Sequence, residues 1–104
     1  MGTGRSWFSP RVIRETERLP DAVCREAQDL IPELAVDPYP PESLKLRKSR
    51  NSRRIRFYRG SHPNRRNHVA LYRLIYEVFD ATGTVRILRI AYRDEITYSG
   101  FDRW

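Results

Sequence analysis

The sequence predicts an α+β fold in which an N-terminal helical hairpin packs on one face of a small antiparallel sheet, and three observations carry that expectation. Apolar residues recur at helical spacing between residues 19 and 34, and three later segments alternate as half-buried strands do. The length, 104 residues with 39% hydrophobic content and four Phe, two Trp and six Tyr, suffices for one core and not for two. A single domain over 1–104 is therefore expected, with 1–5 as a flexible tail.

Taken in order, Trp7-Phe8 supplies a candidate edge strand ahead of Ser9-Pro10. That pair reads as an N-cap followed by a proline at the first helical position, where a missing N–H costs nothing. The first helix is expected to reach about Arg18. Leu19-Pro20-Asp21 restarts the chain, and Val23, Ala27, Leu30, Ile31 and Leu34 share one face of a second helix. Pro32 removes one i→i−4 bond, so this helix is expected to kink or end near Ile31. Cys24, the only cysteine, lies beside that apolar face and reads as packing; one cysteine permits neither an intrachain disulfide nor a thiolate zinc cluster.

Residues 35–44, with three prolines, form an extended connection. Strands follow at Arg53–Tyr58, Val69–Phe79 and Thr84–Tyr92, in the order β-α-α-β-β-β overall. Asp80-Ala81-Thr82-Gly83 reads as a hairpin turn and Gly60–His68 as a longer polar loop. No run of about 20 apolar residues and no short apolar stretch after the N-terminal charges occurs, so neither a membrane span nor a signal peptide is expected, and the cytoplasm is the expected location.

Charge is distributed unevenly. Residues 1–42 sum to −3 and 77–104 to −1, whereas residues 43–76 carry Lys45, Arg47, Lys48, Arg50, Arg53, Arg54, Arg56, Arg59, Arg65, Arg66 and Arg73 with no acid. Eleven uncompensated cations call for a polyanion, or an acidic protein segment, as partner. Strand parity sorts them further. Ile55, Phe57, Tyr72, Leu74, Tyr76, Val78, Leu88 and Ile90 fall on the face toward the helices, and Arg54, Arg56, Arg73, Arg89 and Arg93 on the other.

No glycine-rich phosphate loop, nucleophile elbow or His/Cys/acid set at metal-ligand spacing occurs, so no cofactor and no metal are expected. What remains is a phosphate site of guanidinium groups, whose planar donors match phosphate oxygens and stay charged. Such a site can cleave RNA without metal, because the 2′-hydroxyl supplies the nucleophile and the arginines stabilise the phosphorane. A separate group must take the proton. His62 and His68 in the polar loop are candidates for that role.

Arg54-Ile55-Arg56, Leu71–Val78, Ile87–Arg93 and Tyr98, with the Phe8-Ser9-Pro10 opening and the helical hairpin, together resemble the RelE/ParE toxin superfamily of bacterial toxin–antitoxin pairs. The resemblance spans nearly the whole chain. It implies a type II toxin of the ribosome-dependent mRNA interferase branch, with catalytic positions at Arg54, Arg56, Arg73, Arg93 and Tyr98; the basic run and the open sheet face then supply the expected RNA contacts, Lys45, Arg47, Lys48, Arg50, Arg53, Arg65, Arg66 and Arg89. It implies as partners mRNA, the ribosome and a cognate antitoxin that lays a helix on the hairpin and covers the arginine face. The alternatives within the resemblance are a ParE-like, non-enzymatic inhibitor of DNA gyrase and a decayed nucleic-acid-binding relative.

Overall fold

A computed structural model describes residues 5–47 and 49–95. The chain runs β1 (Arg5–Phe8), α1 (Pro10–Thr16), α2 (Asp21–Val36), β2 (Leu44–Lys45), β3 (Ser52–Gly60), β4 (Val69–Phe79) and β5 (Thr84–Tyr92), with 3₁₀ turns at Asp80–Thr82 and Arg93–Glu95. The strands form one sheet in the order β1-β5-β4-β3-β2. β2, β3, β4 and β5 pair antiparallel, but β1 pairs parallel to β5. The sheet is therefore mixed, a correction to the expected antiparallel one; the long crossover through both helices is what a parallel pair requires. Arg5 opens β1 opposite Thr84, so the expected tail through residue 5 gives up that residue to the sheet.

Ser9 makes the turn from β1 into α1. Its Oγ accepts from the Val12 amide at 3.3 Å and donates to the Leu88 carbonyl at 3.2 Å, so one hydroxyl caps the helix and ties it to β5. α1 ends at Thr16, short of Arg18. α2 continues through Pro32 to Val36 instead of stopping near Ile31. The extra turn buries Leu34 beside Val23, Ala27 and Ile31. That burial contributes roughly 2 kcal/mol, which offsets much of the roughly 3 kcal/mol that an internal proline costs. Cys24 packs against the interhelical turn, its Sγ 3.4 Å from the Thr16 carbonyl oxygen.

β4 and β5 have the bounds read from the sequence, and the turn between them ends on Gly83 at φ 62°, a left-handed conformation that glycine adopts without strain. The proline-rich connection is pinned rather than loose. Tyr39 Oη donates to both carboxylate oxygens of Asp80 at 2.8 and 2.7 Å, and Tyr76 Oη donates to the Pro38 carbonyl at 2.7 Å.

The core lies between the helices and one face of the sheet: Val12, Val23, Ala27, Ile31 and Leu34 against Ile55, Phe57, Leu74, Tyr76, Val78, Val85, Ile87 and Ile90, with Tyr72 packed at its margin. Leu88 is not part of it. Ile75 faces Arg89 and Tyr76 faces Ile87, so Leu88 is an extra residue in a β-bulge. The bulge places Leu88 with Ile75 and Ala91, under Leu46, in a second small cluster. Leu88 therefore turns away from the helices, contrary to simple strand parity, because the bulge interrupts the alternation along β5.

Candidate functional site

The β3–β4 register sets Arg56 directly opposite Arg73, and Arg73 is flanked on its other side by Ala91 of β5. Arg73 is 6% exposed, and its Nη1 donates to the Ala70 carbonyl at 3.0 Å. Arg93 is the first residue after β5 and opens the 3₁₀ turn. Arg56, Arg73 and Arg93 meet in a cleft of ≈ 720 Å³ that Arg59 and Arg65 also line. Phe57, Tyr58, Val69 and Ala70 supply its apolar wall, and Glu26 and Glu42 its two carboxylates.

The cleft wall includes an unusual backbone position. Tyr58 has φ 61°, uncommon for a bulky side chain. Its amide donates to Glu26 Oε2 of α2 at 2.6 Å, and the β3–β4 pairing resumes at Arg59 opposite Ala70. Arg59 in turn donates from Nη2 to the His68 carbonyl at 2.9 Å, fixing the loop end beside the cleft.

Of the residues expected to be catalytic, three come together. Arg54 sits lower on β3, opposite Ile75 on one side and Leu44 on the other, and is not among the residues lining the cleft. Tyr98 lies outside the described residues.

Among the expected RNA contacts, Arg65 lines the cleft, while Lys45, Arg47, Arg50 and Arg66 are exposed elsewhere and Lys48 lies outside the described residues. Arg53 is committed to the opposite side: its Nε donates to Ser43 Oγ at 2.9 Å and its guanidinium lies over the Tyr39 ring at 5.1 Å. Odd parity on β3 explains this, since Arg53 shares a face with Ile55 and Phe57.

Arg89 is likewise not a free RNA contact. It is 7% exposed, and its Nε and Nη2 each meet Glu15 Oε2 at 2.7 Å. The other oxygen of Glu15 accepts from the Ile90 amide at 3.1 Å, so this carboxylate covers the β5 backbone beyond the end of β1.

The histidines divide. His68 is exposed. His62 is buried, with its ring stacked on Tyr92 at 6.1 Å and 14°. Its Nδ1 accepts from the Asn64 amide at 3.1 Å, and its Nε2 pairs with Asp94 Oδ2 at 3.0 Å. A backbone amide can only donate, so Nδ1 carries no proton and Nε2–H donates to Asp94. Both ring nitrogens are engaged with protein partners. The bond from His62 holds the Asp94 carboxyl below its ordinary value. Tyr72, by contrast, is pushed up by burial and then by Glu95, which keeps it a neutral phenol.

Sequence reasoning missed Arg59 as a cleft residue and passed over Glu42 and Glu26. The basic run contained Arg59, but the left-handed turn at Tyr58 that brings it there has no sequence signal. Among the described residues no group of three or more His, Cys, Asp or Glu could hold a metal ion, and no helix is long and apolar enough to cross a membrane.

No family model matches the chain, and no curated protein sequence matches it. Solved structures do. A mutant E. coli RelE toxin in the free state is similar at 21% identity, with 98% of each chain covered and a TM-score of 0.71. The RelBE toxin–antitoxin complex of Mycobacterium tuberculosis gives 22% identity, coverage of 91% and 97%, and a TM-score of 0.68. An archaeal RelE–RelB complex from Pyrococcus horikoshii gives 23%, 91%, 100% and 0.64 for the same quantities. The architecture, two helices on a mixed five-stranded sheet, is thus that of a small α+β domain. Its particular form is the RelE toxin fold.

Proposed function

We propose that this chain is the toxin of a toxin–antitoxin pair and acts as a metal-independent endoribonuclease on ribosome-bound mRNA in the cytoplasm. The observation that carries the reading is the meeting of Arg56, Arg73 and Arg93 in one cleft on the RelE fold, from three separate elements. A fixed set of guanidinium groups suits a pentacoordinate phosphorane better than a single ground-state phosphate. In the reaction the 2′-oxygen attacks the adjacent phosphorus, the bond to the 5′-oxygen breaks, and a 2′,3′-cyclic phosphate and a 5′-hydroxyl result. One group accepts the 2′-hydroxyl proton and another supplies a proton to the leaving oxygen. Arg54, expected in the same set, acts from lower on β3 as a contact to the incoming strand, with Arg65 holding the other side. For the proton, Tyr98 and the Glu42 carboxylate at the cleft wall are the candidate acceptors.

The antitoxin is proposed to seat a helix on the groove between α1 and α2, lined by Phe8, Val12, Ile13, Ala27, Ile31 and Ile90. Phe8 and Ile13 are about half exposed there, as the anchor sites of a helix-in-groove contact are. Structures similar to this chain include RelE toxins bound to RelB antitoxins, which supports such a partner. An acidic segment of the same antitoxin would cover the arginine cleft.

Inducing the chain in growing cells tests the reading, with protein synthesis, DNA replication and mRNA integrity followed separately. Rapid translation arrest with codon-linked mRNA cuts is the expected result. Replication arrest with intact mRNA would replace it with gyrase inhibition.

A further inference from the structure

We propose that His62 is a positioning residue that acts through Asp94 to keep the Arg93 guanidinium available in the cleft, a role whose catalytic consequence rests on the ribonuclease reading above. Asp94 stands between the two. Its Oδ2 accepts from His62 Nε2–H at 3.0 Å, and its Oδ1 lies 3.6 Å from Arg93 Nε.

The geometry divides one carboxylate between two donors. Arg presents a fork that matches both oxygens of a carboxylate, and a bidentate pair is the strong arrangement. Asp94 is the immediate neighbour of Arg93 and 61% exposed, so by itself it would turn both oxygens to that fork and cancel the charge the cleft needs. His62 prevents this by taking one oxygen. It holds its own place firmly: its side chain is 6% exposed, Nδ1 is fixed by the Asn64 amide, and its carbonyl accepts from the Arg65 amide at 3.1 Å. The ring rests on Tyr92, which meets Tyr72 edge-on at 5.5 Å and 82°. A rigid aromatic stack therefore sets where the histidine donor points, and the donor sets where Asp94 can turn. The same loop delivers Arg65 to the cleft, so one latch orders arginines on two sides of it.

Two substitutions separate this role from plain anchoring of the loop. Glutamine places an amide N–H near the position of Nε2 and keeps the donor to Asp94. Asparagine keeps an acceptor near Nδ1 for the Asn64 amide but does not reach Asp94. The full-length chain is compared as wild type, His62→Gln, His62→Asn, and His62→Asn with Asp94→Asn, by the Nε–Hε signal of Arg93 in ¹H–¹⁵N spectra and by cleavage of mRNA on programmed ribosomes.

In His62→Asn the Arg93 signal shifts and kcat falls roughly 10- to 100-fold, the scale of a misplaced catalytic group, with KM little changed. In His62→Gln both stay near wild type. Adding Asp94→Asn, which cannot cancel the arginine charge, restores both. An Arg93 signal indifferent to His62→Asn, or a double variant as impaired as the single one, would overturn the proposal and leave His62 as a loop anchor. An Arg93 signal that behaves as expected in a chain that leaves ribosome-bound mRNA uncut upholds the positioning and overturns the ribonuclease reading.

Discussion

Arg56 on β3 stands directly opposite Arg73 on β4, two like charges at one rung of the sheet. Such a pair costs roughly 0.2–1 kcal/mol, and an anion bound between them turns repulsion into attraction. Arg56→Thr, a good strand former at an exposed position, is therefore expected to weaken binding to RNA and to shrink the rise in melting temperature that bound RNA gives. Thermal unfolding with and without a non-cleavable RNA checks both halves. A variant that RNA stabilises as much as wild type would show that Arg56 does not hold the ligand.

Arg93→Ala separates catalysis from stability. The side chain lines the cleft and is 17% exposed, so truncation gives up packing of its stem, but its carboxylate neighbour Asp94 is 61% exposed and no buried charge is left unpaired. Cleavage should fall by about 100-fold or more, the cost of removing one transition-state donor, with a melting temperature lowered only by the lost packing of the stem. Arg73→Ala is expected to lose both, because that guanidinium is buried and holds the Ala70 carbonyl. Single-turnover cleavage beside melting curves makes the comparison, and undiminished cleavage in Arg93→Ala would remove it from the site.

Arg89→Ala is the reverse case. Truncation leaves the largely buried Glu15 carboxylate without its two 2.7 Å contacts, while the Ile90 amide remains as a donor and Arg11 Nε stays 3.9 Å away. The expected loss is roughly 2–3 kcal/mol, at or below the lower end for breaking a buried pair, or about 10–20 °C in melting temperature for a domain of this size. Cleavage per folded molecule should be retained, and Glu15→Gln in the same chain should recover part of the stability. A melting temperature unchanged by Arg89→Ala would argue against the pair.

Strand parity found Arg56 and Arg73 because β3 and β4 alternate without interruption between Ile55 and Phe57 and between Leu74 and Val78. It failed on β5, where the bulge at Leu88 breaks the alternation; adjacent Ile87 and Leu88 were the visible hint, two apolar residues where one was expected. Arg89 and Arg53 carry the same charge as the cleft arginines, and nothing local in the sequence shows that Glu15, 74 residues away, or Ser43 and Tyr39 claim them. His62 was unreadable for a related reason. A histidine in a loop of Gly, Ser, Pro, Asn and Arg looks solvated, and its burial is created by Tyr92 and Asp94, which arrive from another strand end.

The His62–Asp94 bond also has an acid signature. Because that bond lowers the Asp94 carboxyl in the folded chain, its contribution to stability is fully present above the ordinary carboxyl value of 3.8 and is lost as pH falls through the lower folded value. Asp94→Asn should therefore bring the melting temperature closer to wild type as the pH is taken from 6 toward 2, with the gap largest at the upper end. A gap that widened toward low pH would contradict the direction of the shift.

The proton acceptor can be assigned by variants that keep shape and remove one function. Glu42→Gln retains the size of a side chain at the cleft wall and loses its basicity, and Tyr98→Phe retains the ring and loses only the hydroxyl. Removing a general base costs roughly 100- to 10,000-fold in rate, so the true acceptor should stand out against the other variant. The pH profile is an independent readout. A carboxylate base is ionised throughout the neutral range and gives a rate that is level there, whereas a phenolate base gives a rate that climbs toward alkaline pH, earlier if guanidinium charges lie near it. A level profile with a large loss in Glu42→Gln assigns the proton to Glu42 and leaves Tyr98 the task of stacking on a base, as aromatics do in RNA sites. A rising profile with the loss in Tyr98→Phe assigns it to the tyrosine. His62 already has a partner on each ring nitrogen, so His62→Gln is expected to leave the shape of the profile unchanged, and a changed shape would make His62 the acceptor. If neither Glu42→Gln nor Tyr98→Phe slows cleavage and His68→Ala does, the acceptor is the exposed end of the same loop. If none of the three slows it, the cleft holds RNA without cutting it and the enzymatic reading gives way to binding.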